Sequence, residues 1–305
     1  MNRIVLALYI HDAELAKLHH REPFLRFSIE RLRNVSTDDI FAAPNAGTWK
    51  RLLTGSQWRT SQPSSQAHSS IANPPRLPEL SSGFHLYAML ESIGARAREN
   101  RHSDIMWPCT LRECETLLAQ WYGKYSPAFR HSKNETSCFA ILWHLTFMDL
   151  HADFDALERS CGREGEENSR GHLAYATSWA QSADAKRCLL HATLIQRHFQ
   201  SMEIGTEPAI HVPMALYYCG LTWYCYAFFG NEYQPDVGSV HFPELQLLGI
   251  DEKKLCQEVF GKTQPRDLSH LFHVIDLLQR INHWKVSHCF ASTLLSFVEE
   301  AHTVF

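Results

Sequence analysis

Residues 137–161 read SCFAILWHLTFMDLHADFDALERSC, and the fold turns on how this stretch is read. Phe139, Ile141, Leu142, Leu145, Phe147, Met148, Leu150, Phe154 and Leu157 recur at helical spacing but occupy more than one helical face. That is the pattern of a helix enclosed by neighbours on several sides. Read as one continuous helix over Ser137–Cys161, it predicts the centre of a bundle and requires amphipathic helices around it.

The flanking sequence supplies them. Upstream, Phe84, Tyr87, Leu90, Ile93 and Ala97 share one helical face. Thr110-Leu111-Arg112-Glu113, ahead of Leu117, Leu118 and Trp121, has the spacing of a capping box and predicts a helix start at Thr110. The first block predicts a helix from about Arg3 to His20 that stops before Pro23, with Val5, Leu8, Leu15 and Leu18 as its apolar stripe against Asp12, Glu14 and Lys17. Phe24, Phe27 and Leu32 suggest a second short helix. From Thr60 to Ser82, seven serines and four prolines stand among few apolar residues. Such a composition cannot offset ordering entropy by burial, so a flexible insertion is expected at about 60–82.

Downstream, Gly162–Gly171 reads as a charged surface loop. Helices are predicted over about Ala183–Glu203, Met214–Phe229, Asp251–Phe260, Asp267–Asn282 and Trp284–His302, with Pro213 in the first turn of the second and Gly230 closing it. Gly230–Gly249 reads as a long loop. Strict apolar/polar alternation is nearly absent and no constant-period repeat is present. The expected architecture is a single all-α domain over 1–305, a multi-helix globular bundle with long loops and no significant sheet.

Composition narrows the class. The 305 residues are 45% hydrophobic and 20% charged, enough to build a sizeable core. Lys plus Arg total 29 against 33 Asp plus Glu, a net charge of −4 that argues against a whole-chain grip on nucleic acid. Nine cysteines, without any Cys-x-x-Cys pair, form neither a disulfide framework nor a zinc ribbon and point to an intracellular chain. The apolar run Ile4–Ile10 continues as a helical stripe and lacks a cleavage site, which disfavours a signal peptide. No apolar stretch approaches the ~18 residues of a membrane span, so a soluble protein without a membrane partner is expected.

Nineteen histidines raise the question of chemistry. Asp149-Leu150-His151-Ala152-Asp153-Phe154-Asp155 places acidic residues four apart, as all-α isoprenoid synthases do to hold divalent cations against a diphosphate. The spacing is looser than theirs, Asp153 and Asp155 fall on different helix faces, and a second Asn/Ser/Glu motif is missing. His270-x-x-His273-x-x-Asp276, and His144 with His151, stack zinc-ligand types on a helix face without a His-Glu-x-x-His arrangement. His144, amid Ile141, Leu142, Trp143 and Leu145, reads as a hydrogen-bonded core residue. There is no Gly-x-Ser-x-Gly elbow and no glycine-rich phosphate loop. Arg96, Arg98 and Arg101 read as a solvated face. Trp223-Tyr224-Cys225-Tyr226 with Phe228 and Phe229 reads as core in preference to a ligand pocket. The residues therefore predict no catalytic, cofactor-binding or metal-binding set, and no enzyme.

Six strings nevertheless occur in a familiar order: His11-Asp12-Ala13-Glu14-Leu15, Leu142-Trp143-His144-Leu145, Asp149-Leu150-His151-Ala152-Asp153-Phe154, Gly162-Arg163-Glu164-Gly165, Gly205-Thr206-Glu207-Pro208-Ala209-Ile210-His211-Val212-Pro213 and Trp223-Tyr224-Cys225-Tyr226. Together they resemble the fungal-specific transcription factor domain, or middle homology region, of the branch that follows two-cysteine two-histidine zinc fingers. The likeness runs from about Arg3 to His302. It implies an all-α regulatory region of a nuclear transcription factor, controlling RNA polymerase II transcription, without catalytic residues. The zinc-finger ligands that complete that pattern are not in this sequence, so DNA contact and zinc would belong to an attached DNA-binding domain, truncated here or not encoded. Protein partners or self-association, and a small-molecule effector, are the inputs it implies. Positions to probe for a regulatory pocket are His144, Trp179, His211 and Trp223, amphipathic side chains in apolar surroundings. The competing readings are a metal-dependent enzyme of the isoprenoid synthase type and a pure interaction scaffold.

Overall fold

The stretch 137–161 does not stay in one helix. The chain breaks at Ala152, and Asp153 turns extended (φ −88°, ψ 92°) so that its carboxylate accepts the Ala156 N–H at 3.1 Å and caps a new helix. An aspartate satisfies an orphan donor at an N-cap, which it cannot do inside a helix. The Tyr175 hydroxyl accepts the Asp153 N–H at 2.7 Å and fixes the corner.

The computed structural model describes residues 2–26, 35, 38–55, 77, 82–126, 133–230, 241–261, 267–281 and 283–304. Among them are fourteen helices and no strand: α1 (Asn2–Leu18), α2 (Asp38–Phe41), α3 (Ala46–Gly55), α4 (Gly83–Asn100), α5 (Trp107–Tyr125), α6 (Lys133–His151), α7 (Phe154–Ser160), α8 (Glu166–Ala180), α9 (Ala183–Gln200), α10 (Val212–Phe229), α11 (Pro243–Leu247), α12 (Glu252–Phe260), α13 (Ser269–Gln279) and α14 (Lys285–Val304). The all-α reading holds. The expected insertion at 60–82 lies outside the described residues except for Leu77 and Ser82, as do Phe27 and Leu32 of the suggested second short helix.

The centre is shared by two helices. α6 packs against α9, α4, α5 and α10, while α10 packs against α9, α13 and α14 and also meets α7 and α8. Every residue from Val212 to Cys225 of α10 is buried, so Trp223 and Tyr224 are core as the sequence suggests, while Tyr226, Phe228 and Phe229 are half-buried and pack against it. One hydrophobic core runs from Leu6 to Val298. Five of the nine cysteines are buried in it, and Cys161 and Cys225 approach to 3.7 Å as free thiols.

Where α10 crosses α14 the contact is made through Gly220. A Cβ there would fall well inside van der Waals contact with Leu294 Cδ1, and Leu294 is fully buried. Gly220→Val should therefore destabilise the chain by about 1–3 kcal/mol through overpacking, read as a lower urea midpoint with an unchanged slope.

Several boundaries differ from the sequence reading. α5 begins at Trp107, not Thr110: Pro108 occupies its first turn, which suits a residue without an N–H, and the Ser103 hydroxyl accepts the Met106 N–H at 3.2 Å. Gly162–Gly171 is only partly loop, since α8 starts at Glu166 directly after Gly165 turns to φ 89°. That helix carries an internal glycine and many polar residues; its buried set is Ala176, Trp179 and Ala180. Within Gly230–Gly249 a short helix, α11, starts at Pro243, whose missing N–H suits a first turn, and its Glu244 is buried beside Arg187 Nε at 2.9 Å.

α1 forms where the sequence places it but buries the opposite face. Val5, Leu8, Leu15 and Leu18 are exposed, whereas Leu6, Tyr9, Ile10, Ala13 and Ala16 are buried together with Glu14 and Lys17. Ala13 and Ala16 permit close approach to α4, and Lys17 Nζ meets Glu14 at 2.7 Å and Glu91 of α4 at 3.3 Å. Charges can enter an interior when partners are waiting for them.

Candidate functional site

Where α1, α4 and α6 converge, the chain leaves a cavity of about 570 Å³, within the usual size of small-molecule sites. Ala7, Ile10 and His11 come from α1, Gly83, Phe84 and Tyr87 from α4, and Asn134, Glu135, Cys138 and Phe139 from α6. Met202, the segment Glu207–Ile210 and Trp284 close the remaining side. Two prolines, Pro208 and Pro213, keep the segment before α10 out of a helix. It is pinned from both flanks. Asn134 accepts the Glu203 N–H at 3.0 Å and donates to Thr206 Oγ1 at 3.3 Å, and Trp284 Nε1 donates to the Pro208 carbonyl at 3.0 Å.

The cavity is apolar inside with a polar rim. His11, Glu135 and Glu207 are exposed at its edge. Gly83 lets the Glu135 carboxylate approach the N-terminus of α4: a Cβ there would lie 2.5 Å from Glu135 Oε1. That end of a helix favours negative charge. At the floor, His211 is fully buried and its Nε2–H donates to the Cys138 carbonyl at 2.9 Å. Its Nδ1 must then accept the Tyr87 hydroxyl at 2.7 Å, which fixes the neutral tautomer. Burial pushes the His211 pKa down to about 4. Burial likewise raises the Cys138 thiol, which is protonated at neutral pH and a poor nucleophile. The arrangement can hold an apolar body and orient a polar end, with no activated nucleophile among these groups.

A buried polar chain runs beneath and beyond this floor. Burial and the neighbouring Glu14 charge push the Glu91 pKa well above the carboxylate range. Burial acts on Glu14 as well, but the Lys17 ammonium and a hydrogen bond with Glu91 outweigh it and bring Glu14 down to about 2. The triad thus carries one ammonium, one carboxylate and one carboxylic acid. Further along, Arg98 donates to Asp149 at 3.0 Å and Arg101 to the Ala152 carbonyl at 2.9 Å. His151 meets Asp184 at 2.8 Å and Glu115 at 3.2 Å. Burial opposes its protonation, yet those carboxylates leave its pKa raised.

The positions singled out from the sequence do not form one pocket. His144 meets His191 Nδ1 to Nδ1 at 2.8 Å between α6 and α9, and burial lowers both pKa values. Trp179 Nε1 donates to the His151 carbonyl at 2.9 Å. Trp223 stacks on His270 with ring centroids 4.0 Å apart. Only His211 borders the cavity, through Tyr87 and Cys138, and none of the four lines it.

The weighed metal motifs are also dispersed. Asp149 is held by Arg98, Asp153 caps α7, and Asp155 pairs with Arg159 and Arg163. His273 bonds Gln200, and Asp276 pairs with Arg280. Among the described residues no group of three or more His, Cys, Asp or Glu side chains could hold a metal ion. Nor does the expected solvated arginine face exist: Arg96, Arg98 and Arg101 reach Glu113, Asp149 and Ala152. No described helix is long and apolar enough to cross a membrane.

The sequence signal for the cavity was present but diffuse, in the apolar yet helix-breaking string Pro208-Ala209-Ile210-His211-Val212-Pro213. Comparisons of the chain with models of known families, with curated proteins and with solved structures each find no match.

Proposed function

We propose that the chain is the all-α regulatory domain of a nuclear zinc-finger transcription regulator. In this reading a small, largely apolar molecule in the α1–α4–α6 cavity sets the activity of an attached DNA reader. The cavity is the observation that carries it: an apolar space of about 570 Å³ whose closing segment is pinned to α6 and to Trp284. The ordered resemblance to the fungal-specific transcription factor domain supports the regulatory role. The net charge of −4 supports leaving DNA contact to the attached reader, because few phosphates could be neutralised by this chain. The reading assigns no catalysis and no resident metal to this chain. The carboxylates and imidazoles weighed for chemistry are engaged with internal partners, which supports it.

Fused behind an unrelated zinc-finger reader, the chain should change reporter transcription by about fivefold or more, the lower range of allosteric coupling. Ala209→Trp, which fills the cavity, should remove most of that change and abolish binding of the fluorescent probe 1-anilinonaphthalene-8-sulfonate to the folded chain. Equal reporter output with and without the chain ends this reading.

A further inference from the structure

The exposed face of α1 has a spacing of its own. Ile4, Leu8, His11, Leu15 and Leu18 follow one another at intervals of four, three, four and three, the a/d alternation by which two helices pack side by side. The four apolar members are 66%, 58%, 47% and 38% exposed, and Val5 beside them is 43% exposed. The opposite face of the helix is already committed to α4 through Tyr9, Ala13 and Ala16. A soluble chain rarely leaves so regular an apolar row in water unless something covers it.

We infer that this row is a self-association surface, occupied by α1 of a second copy of this chain in an antiparallel, twofold arrangement. The row is close to palindromic about His11. Seven residues to either side stand Ile4 and Leu18, and Leu8 lies three before as Leu15 lies four after. A twofold axis at His11 would set Ile4 against Leu18 of the partner subunit and Leu8 against the partner's Leu15, as an isologous contact requires. The exposed apolar area is on the order of 500 Å² per chain, so two copies would cover about 1,000 Å², the lower limit for a specific interface. The charge beside the row is neutralised at home: Asp12 accepts the Leu25 N–H at 2.7 Å and lies 3.6 Å from Arg21. His11 takes the position where one polar residue lowers affinity and fixes register.

The test is sedimentation of the full chain over a concentration series. It should dimerise with a dissociation constant of about 1–100 µM, the range fitting so small an interface. Leu8→Glu with Leu15→Glu should leave it monomeric while circular dichroism and melting temperature stay as in the parent, because both side chains are exposed. His11→Leu should tighten the dimer by about tenfold or more. A monomer throughout the series, a dimer indifferent to the double substitution, or a His11→Leu dimer no tighter than the parent would each overturn the inference. Leu8 and Leu15 do not line the cavity, so the double substitution tests the interface separately from any ligand there.

Discussion

Lys17→Met is expected to destabilise the chain by about 3–5 kcal/mol, the usual cost of removing one partner from a buried ion pair. Lys17 is 3% exposed, and its ammonium is the cation nearest both Glu14 and Glu91. Without it, two carboxyl groups share a dry space in which the next cation, Arg98, is already paired with Asp149, and Glu14 must either take up a proton or remain a buried anion. The urea midpoint should fall accordingly. Replacing the whole triad, as Lys17→Met with Glu14→Gln and Glu91→Leu, should recover at least half of the loss, since no charge is then stranded. A loss below about 1 kcal/mol for the single substitution, or a triple variant no better than it, would refute this account of how α1 binds α4.

The second large effect is the share of the acid dependence that His211 adds to that of His144 and His191, whose pKa values burial also lowers. Burial depresses the His211 pKa to about 4 in the folded chain, against about 6.5 when unfolded. The unfolded state therefore binds more protons between those values. The stabilisation is complete above pH 6.5 and is lost as pH falls toward 4. At pH 5 the loss comes to about 2 kcal/mol. Glu91 and His151, both raised, act in the opposite direction, because their contributions are lost as pH rises. The parent curve alone would mix these effects. Comparing parent with His211→Gln isolates the one of interest: on going from pH 7 to pH 5 the parent should lose about 2 kcal/mol more than the variant. Parallel curves would mean that His211 is not held neutral. Because His211 supports Tyr87 and the Cys138 carbonyl, acid should also loosen the cavity floor.

Much of the helical layout is legible in the sequence. The amphipathic face of α4, the proline start and glycine end of α10, and the extents of α9, α12, α13 and α14 follow from periodicity and caps, which are local properties. The misreadings are local competitions decided by distant groups. Asp153 ends α6 where Tyr175 receives its N–H, and Glu244 of α11 is buried beside Arg187 of α9. The cavity was less legible still. Its walls come from five separate parts of the chain, and His211, the one chosen residue near it, contributes from behind the wall.

By itself the sequence determined the helical class, the approximate extents of most helices, and the spacing of apolar side chains along each, because these depend on residues within a few positions of one another. Only the tertiary structure decided which face of α1 is buried. Both faces of α1 are largely apolar, one carrying Leu8, Leu15 and Leu18 and the other Leu6, Tyr9 and Ile10 with two alanines, Glu14 and Lys17, so hydrophobicity alone does not choose between them. The second face packs on α4 through its alanines, and Glu91, 74 residues beyond Lys17, gives the ammonium on that face a partner inside the protein. The leucines are left to water, or to a second copy of the chain.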